Sequence, residues 1–126
     1  MTAHCSALRG IFVMPAALIV IACAAESAPV SPTGGDPRAG QLLIEAYGCG
    51  SCHYVPGVRT AVSATGPSLE KFGRHVYIAG QFPNEPERLV KWIQDPQALV
   101  PETTMPDLGV NEAHARDISA YLYTLR

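Results

Sequence analysis

The first stretch with a distinctive pattern is IFVMPAALIVIACAA, residues 11–25, an uncharged apolar run preceded by Arg9. It is shorter than the ~20 apolar residues a spanning helix needs. Pro15 interrupts it, and it has no polar face to turn to water, so a buried helix fits poorly. A short positive segment followed by such a run is the pattern of an export signal. Residues 24–36, AAESAPVSPTGGD, are rich in Pro, Ser and Gly and carry almost nothing to bury, as expected of a tether. The pattern therefore divides the chain into an export signal over 1–22, a flexible tether over 23–35 and a globule over 36–126. Three modes of processing fit the boundary. Val20-Ile21-Ala22-Cys23 resembles a lipobox that makes Cys23 a lipid-modified N-terminus; Ala22-Cys23-Ala24 resembles an ordinary small-x-small cleavage site; and the run can stay as an uncleaved anchor. The lipoprotein form is preferred, because a free Cys23 thiol is a liability in an exported protein.

Within the globule the periodicity predicts helices. Asp36-Pro37 is an N-cap followed by Pro at the first helical position. A helix follows over 38–47, with Leu42, Leu43, Ala46 and Tyr47 inward. Gly40 inside it is unfavourable by ~1 kcal/mol relative to Ala, which points to a close helix crossing there. Residues 54–68 are loop chemistry, and 68–72 suit one helical turn. Asn84 with Glu87 reads as a capping box for a helix over 85–94 that buries Leu89, Trp92 and Ile93. Asp95-Pro96 ends it. Asn111 opens a last helix over 112–125, with Ala115, Ile118, Leu122 and Leu125 in the 3.6 period. No alternating run is long enough for a sheet.

Charge and size narrow the function. The chain has 126 residues and a formal charge of −2, which gives no drive toward nucleic-acid phosphates. Without the leader about 100 residues remain, and a domain so small often needs a metal, a cofactor or disulfides to complete its core.

The chemistry lies in Cys49-Gly50-Ser51-Cys52-His53. Cys-x-x-Cys-His is the attachment signature of c-type haem: two thiols reach two vinyl groups from one turn of chain, and the adjacent His lies under the iron. A thioredoxin-like site needs a preceding strand, a zinc site needs two more ligands at paired spacing, and a plain disulfide leaves His53 without a role. One covalent haem c is therefore expected. Met105 is the sole Met beyond the leader and sits in a loop bracketed by Pro101 and Pro106. A thioether on a stiff loop suits the second axial position and favours the ferrous state. His75 and His114 are weaker choices for that position.

Taken in order, the helix near 38–47, Cys49-x-x-Cys52-His53, Gly66-Pro67-x-Leu69, Phe72-Gly73-Arg74, Leu89-x-x-Trp92-x-x-Asp95-Pro96, Pro101-x-x-x-Met105 and a last helix with Ala120-Tyr121-Leu122 resemble a class I c-type cytochrome, in its bacterial monohaem form. The resemblance covers about residues 36–126. It implies an all-α cytochrome c fold, with some three to five short helices around the haem. It also implies site roles: Cys49 and Cys52 attach the haem, His53 and Met105 ligate iron, and the Pro67 carbonyl accepts the His53 ring N–H. Arg74 and Tyr77 reach propionates, and Trp92 packs on the macrocycle. The chain departs from the mitochondrial branch in charge. Beyond the leader its lysines are Lys71 and Lys91, and 8 basic residues face 11 acidic ones, so strong steering to an acidic partner is not expected.

The function implied is one-electron transfer in a respiratory chain by a carrier on the periplasmic side of the envelope, held to the membrane by a lipid or signal anchor. The alternative is an electron-entry or exit subunit of a membrane oxidase or dehydrogenase complex. A ligand-binding or peroxidatic haem protein is a third reading, which needs Met105 to leave the iron. The expected partners are redox proteins, with a terminal oxidase or a dehydrogenase foremost, and no nucleic acid.

Overall fold

The computed structural model describes residues 31–126, so the expected export signal and the first part of the tether lie outside the described residues. Helix α1, Pro37–Ala46, starts where Asp36 accepts a hydrogen bond from the Arg38 N–H at 2.8 Å and Pro37 takes the first helical position. Its buried residues are Gly40 and Ile44, with Leu43 and Tyr47 partly covered. Leu42 is 68% exposed and Ala46 is also exposed, so the inward face is rotated from the one expected. The cause is the crossing with α4, Glu112–Thr124. A Cβ at Gly40 would collide with the Asp117 carbonyl, so the two backbones meet at that glycine, and this meeting point selects the face of α1 that turns inward.

Part of the expected tether is not free. Thr33 is 2% exposed, its hydroxyl donates to the Arg116 carbonyl at 2.9 Å, and Arg116 Nη1 donates back to the Thr33 carbonyl at 3.1 Å. The Asp36 N–H donates to Asp117 Oδ1 at 2.8 Å. A composition poor in apolar groups hid this docking, because it is made of hydrogen bonds to α4.

Helix α2, Pro86–Gln94, buries Leu89, Val90, Trp92 and Ile93. Its N-cap is Glu85, which makes no side-chain capping bond, so the expected Asn84–Glu87 capping box does not form. Glu87 instead pairs with Arg116 of α4 through bonds of 2.8 and 3.0 Å. Asp95 ends α2 and caps the short α3, Pro96–Leu99, accepting from the Ala98 N–H at 3.0 Å. Asn111 caps α4 by accepting from the His114 N–H at 2.9 Å.

The structure adds a two-strand ribbon that no alternation announced: β1, Tyr77–Ile78, antiparallel to β2, Phe82–Pro83, with Ile78 opposite Phe82. Ala79 and Gly80 form its turn with φ of +51° and +66°, the paired positive values of a type I′ turn. Two 3₁₀ turns, Cys49–Ser51 and Phe72–Arg74, complete the elements among the described residues.

Candidate redox site

The turn Cys49–Ser51 follows Gly48 in left-handed conformation. The Cys52 and His53 N–H groups both donate to the Cys49 carbonyl, at 3.2 and 3.0 Å. Gly50 lies flat on the neighbouring loop, where a Cβ would stand 2.7 Å from the Thr60 oxygen. This close seat holds Cys49, Cys52 and His53 on one short turn, and all three line a cavity of about 520 Å³. That volume lies within the ~300–1,000 Å³ of small-molecule and cofactor sites. Burial pushes the Cys49 thiol above its usual range, the reverse of what activates a nucleophile.

His53 is oriented from behind. Its Nδ1–H donates to the Pro67 carbonyl at 2.7 Å, which leaves the neutral ring's Nε2 as an acceptor. The Gly66 N–H donates to the Cys52 carbonyl at 2.6 Å. Glycine is required there, since a Cβ would stand 2.9 Å from His53 Cε1. Met105 lines the same cavity. Its loop is held by Gln97 Nε2, which donates to the Met105 carbonyl at 2.8 Å, and by Thr103 Oγ1, which accepts from the Met105 N–H at 3.2 Å. Sequence reading missed Gln97, which carries no motif and gains its role only because α3 turns it toward the loop.

The walls are apolar, built by Ile44 of α1, Leu89, Trp92 and Ile93 of α2, and Ile118 and Leu122 of α4. Trp92 is 8% exposed and meets Phe82 edge-to-face at 5.7 Å. Tyr77 is at the mouth, 57% exposed. Arg74 does not join them: it is exposed and outside the lining, because the turn at Phe72 sends Phe72 inward and Arg74 to solvent. No Asp, Glu, Lys or Arg is among the lining residues. His75 also lines the cavity, and its ring is 5.3 Å from that of Phe72. His114 is engaged elsewhere, with Nδ1 2.8 Å from the Tyr47 hydroxyl.

No family model matches the chain. It is 35% identical over 96 residues to cytochrome c oxidase subunit 2 of Alkalihalophilus pseudofirmus, covering 75% of this chain and 27% of that protein. It is 32% identical over 84 residues to cytochrome c oxidase subunit 2 of Bacillus subtilis, covering 62% of this chain and 24% of that one. The chain thus spans about a quarter of the length of the curated relatives it matches.

These relatives correct the cofactor expectation. Their name designates an oxidase subunit and specifies no covalent haem c, and among the described residues no three His, Cys, Asp or Glu side chains form a metal-holding group. The assignment of one covalent haem c is withdrawn. Of the functions weighed from sequence, the relatives favour the oxidase-complex subunit over the independent carrier. Among the described residues no helix is long and apolar enough to cross a membrane. The chain is similar to about a quarter of cytochrome c oxidase subunit 2.

Proposed function

We propose that this chain is an electron-transfer domain of a respiratory oxidase complex, with a cytochrome c-like arrangement of helices and a redox-active metal centre in its apolar cavity. One observation carries the reading: His53, oriented by the Pro67 carbonyl, and the thioether of Met105 line the same uncharged cavity. Imidazole and thioether are ligands suited to redox-active transition metals, and the hydrogen bond behind the imidazole is the usual support of a ligating His. Cys49 and Cys52 line the same cavity beside His53. The centre would supply one-electron cycling. The chain's own residues set its ligation, keep water from it through Ile44, Leu89, Trp92 and Ile118, and leave a neutral mouth for approach. The relatives' name supports the oxidase as the partner, and the apolar run at residues 11–25 supports placement on the outer face of the membrane.

The test is metal analysis, absorption spectroscopy and intact mass on the full chain purified from membranes, followed by stopped-flow mixing with an oxidase preparation. The expected result is a stoichiometric, reversibly one-electron metal centre that passes electrons to the oxidase, and its loss in His53→Ala. A metal-free chain, or a centre inert toward the oxidase, would overturn the proposal.

A further inference from the structure

The capping-box partner that fails to cap does something else. Asn84 lies between β2 and α2, and its side chain turns away from the helix end. Its Nδ2 donates to the carbonyls of Phe72 and His75, at 3.3 and 3.0 Å, and its Oδ1 accepts from the Tyr123 hydroxyl at 2.8 Å. Its backbone N–H donates to the Val76 carbonyl at 2.9 Å. The amide orientation follows from the partners: two carbonyls need donors, so the flipped amide would lose both of those bonds.

We propose that Asn84 is a positioning residue of the redox site, joining the cavity wall at 72–80 to the C-terminal turn of α4. That segment supplies Phe72, His75, Tyr77, Ile78, Ala79 and Gly80 to the lining, and its regular structure is one 3₁₀ turn and a two-residue strand. A segment so short of repetitive hydrogen bonds depends on side-chain ties. Asn84 meets it at three carbonyls, those of Phe72, His75 and Val76. The other end of the tie is firm. Tyr123 packs edge-on to Phe72 at 6.2 Å, and burial with the nearby Glu85 carboxylate pushes its hydroxyl up to about 12, so it stays a proton donor at neutral pH. Closing the wall keeps water from the centre, and solvent access is one of the determinants of a metal site's potential.

The role in redox tuning rests on the proposed function; the role in holding the wall does not. Asn84→Asp keeps the shape and the acceptor for Tyr123 but sets a carboxylate against two carbonyls. At pH 7 the amides of residues 75–80 should exchange with solvent at least tenfold faster than in the parent chain, while those of α1 stay unchanged. The reduced-to-oxidised ratio of the centre should fall at least threefold at fixed ambient potential. Acidification through the carboxylate range should reverse part of both effects, because the protonated acid again donates, to one of the two carbonyls. The parent chain over the same pH range controls for His75 and Glu85. Tyr123→Phe should quicken the same amides by less, and it carries the test if the Asp variant does not fold. Parental exchange at 75–80 in the variants, with only a lower unfolding midpoint, would overturn the proposal. A wall that loosens in a chain without any redox centre would sink the proposed function and the tuning role while leaving the wall-holding role standing.

Discussion

At Gly40 the backbone of α1 rests on the Asp117 carbonyl of α4, and at Gly35 the incoming chain rests in the same way on the carbonyl of Arg116. The cavity wall at 72–83 is made differently. It contains two residues in positive φ that are not glycine at or beside it, Lys71 and Ala79, and it is tied down by single side chains such as Asn84. The first region is held by direct backbone contact that cannot yield by rotamer change. The second is a thin shell around about 520 Å³ of space. A helix crossing makes a scaffold by itself, whereas a cavity wall needs ties, and a small domain that lines a cavity leaves part of its core to whatever fills it.

The largest effect should come from the scaffold. Gly40→Val drives two methyls into the Asp117 carbonyl and must separate α1 from α4, a loss of about 3 kcal/mol by urea unfolding. An unchanged midpoint would show that the crossing adjusts freely. Met105→Ala removes a partly buried side chain from the cavity and should cost only about 1–2 kcal/mol of stability, yet abolish or strongly weaken retention of the metal centre, read by metal content. Equal damage at both sites would erase the distinction between scaffold and shell. Ala79→Asn should stabilise by about 0.5 kcal/mol, because Asn tolerates the left-handed turn position better than Ala. No gain would mean that the turn is not strained.

The smallest effect belongs to the strap at 31–36. Arg116 pairs with Glu87 and Glu112, each exposed by more than half, and such pairs contribute little and are screened by salt. Arg116 holds the Glu87 carboxyl below its ordinary 4.5. The folded form therefore binds fewer protons than the unfolded one, so the pair's contribution is present above about 4.5 and fades as pH falls below it. Arg116→Met should flatten the melting temperature against pH in that acid window and remove part of its salt dependence. A parent-like acid profile would assign the effect to other carboxylates.

Much of this was legible in the residues. Asp36-Pro37, Asp95-Pro96 and Asn111 marked helix ends that the structure places at Pro37, Gln94 and Glu112, because caps and prolines act within one turn of chain. Gly40 announced a crossing, since nothing local rewards glycine inside a helix. The gathering of Cys49, Cys52 and His53 was given by adjacency, and Met105 stood out by being alone. The failures share one cause: they depend on partners far along the chain. The inward face of α1 was set by Asp117, so Leu42 became exposed. Arg74 left the cavity because the Phe72 turn gave the inward position to the ring. Asn84 exchanged a cap for Tyr123 and two distant carbonyls, and Glu87 exchanged the same box for Arg116.

The order of residues by itself determined where helices begin and end and which soft donors stand together, because both depend on neighbours within a few positions. Tertiary structure alone decided which helix faces are buried, which polar groups tie the cavity wall, and that Gln97 supports Met105. Each of those is a competition for hydrogen-bond partners or space, settled only when segments tens of residues apart arrive at the same place.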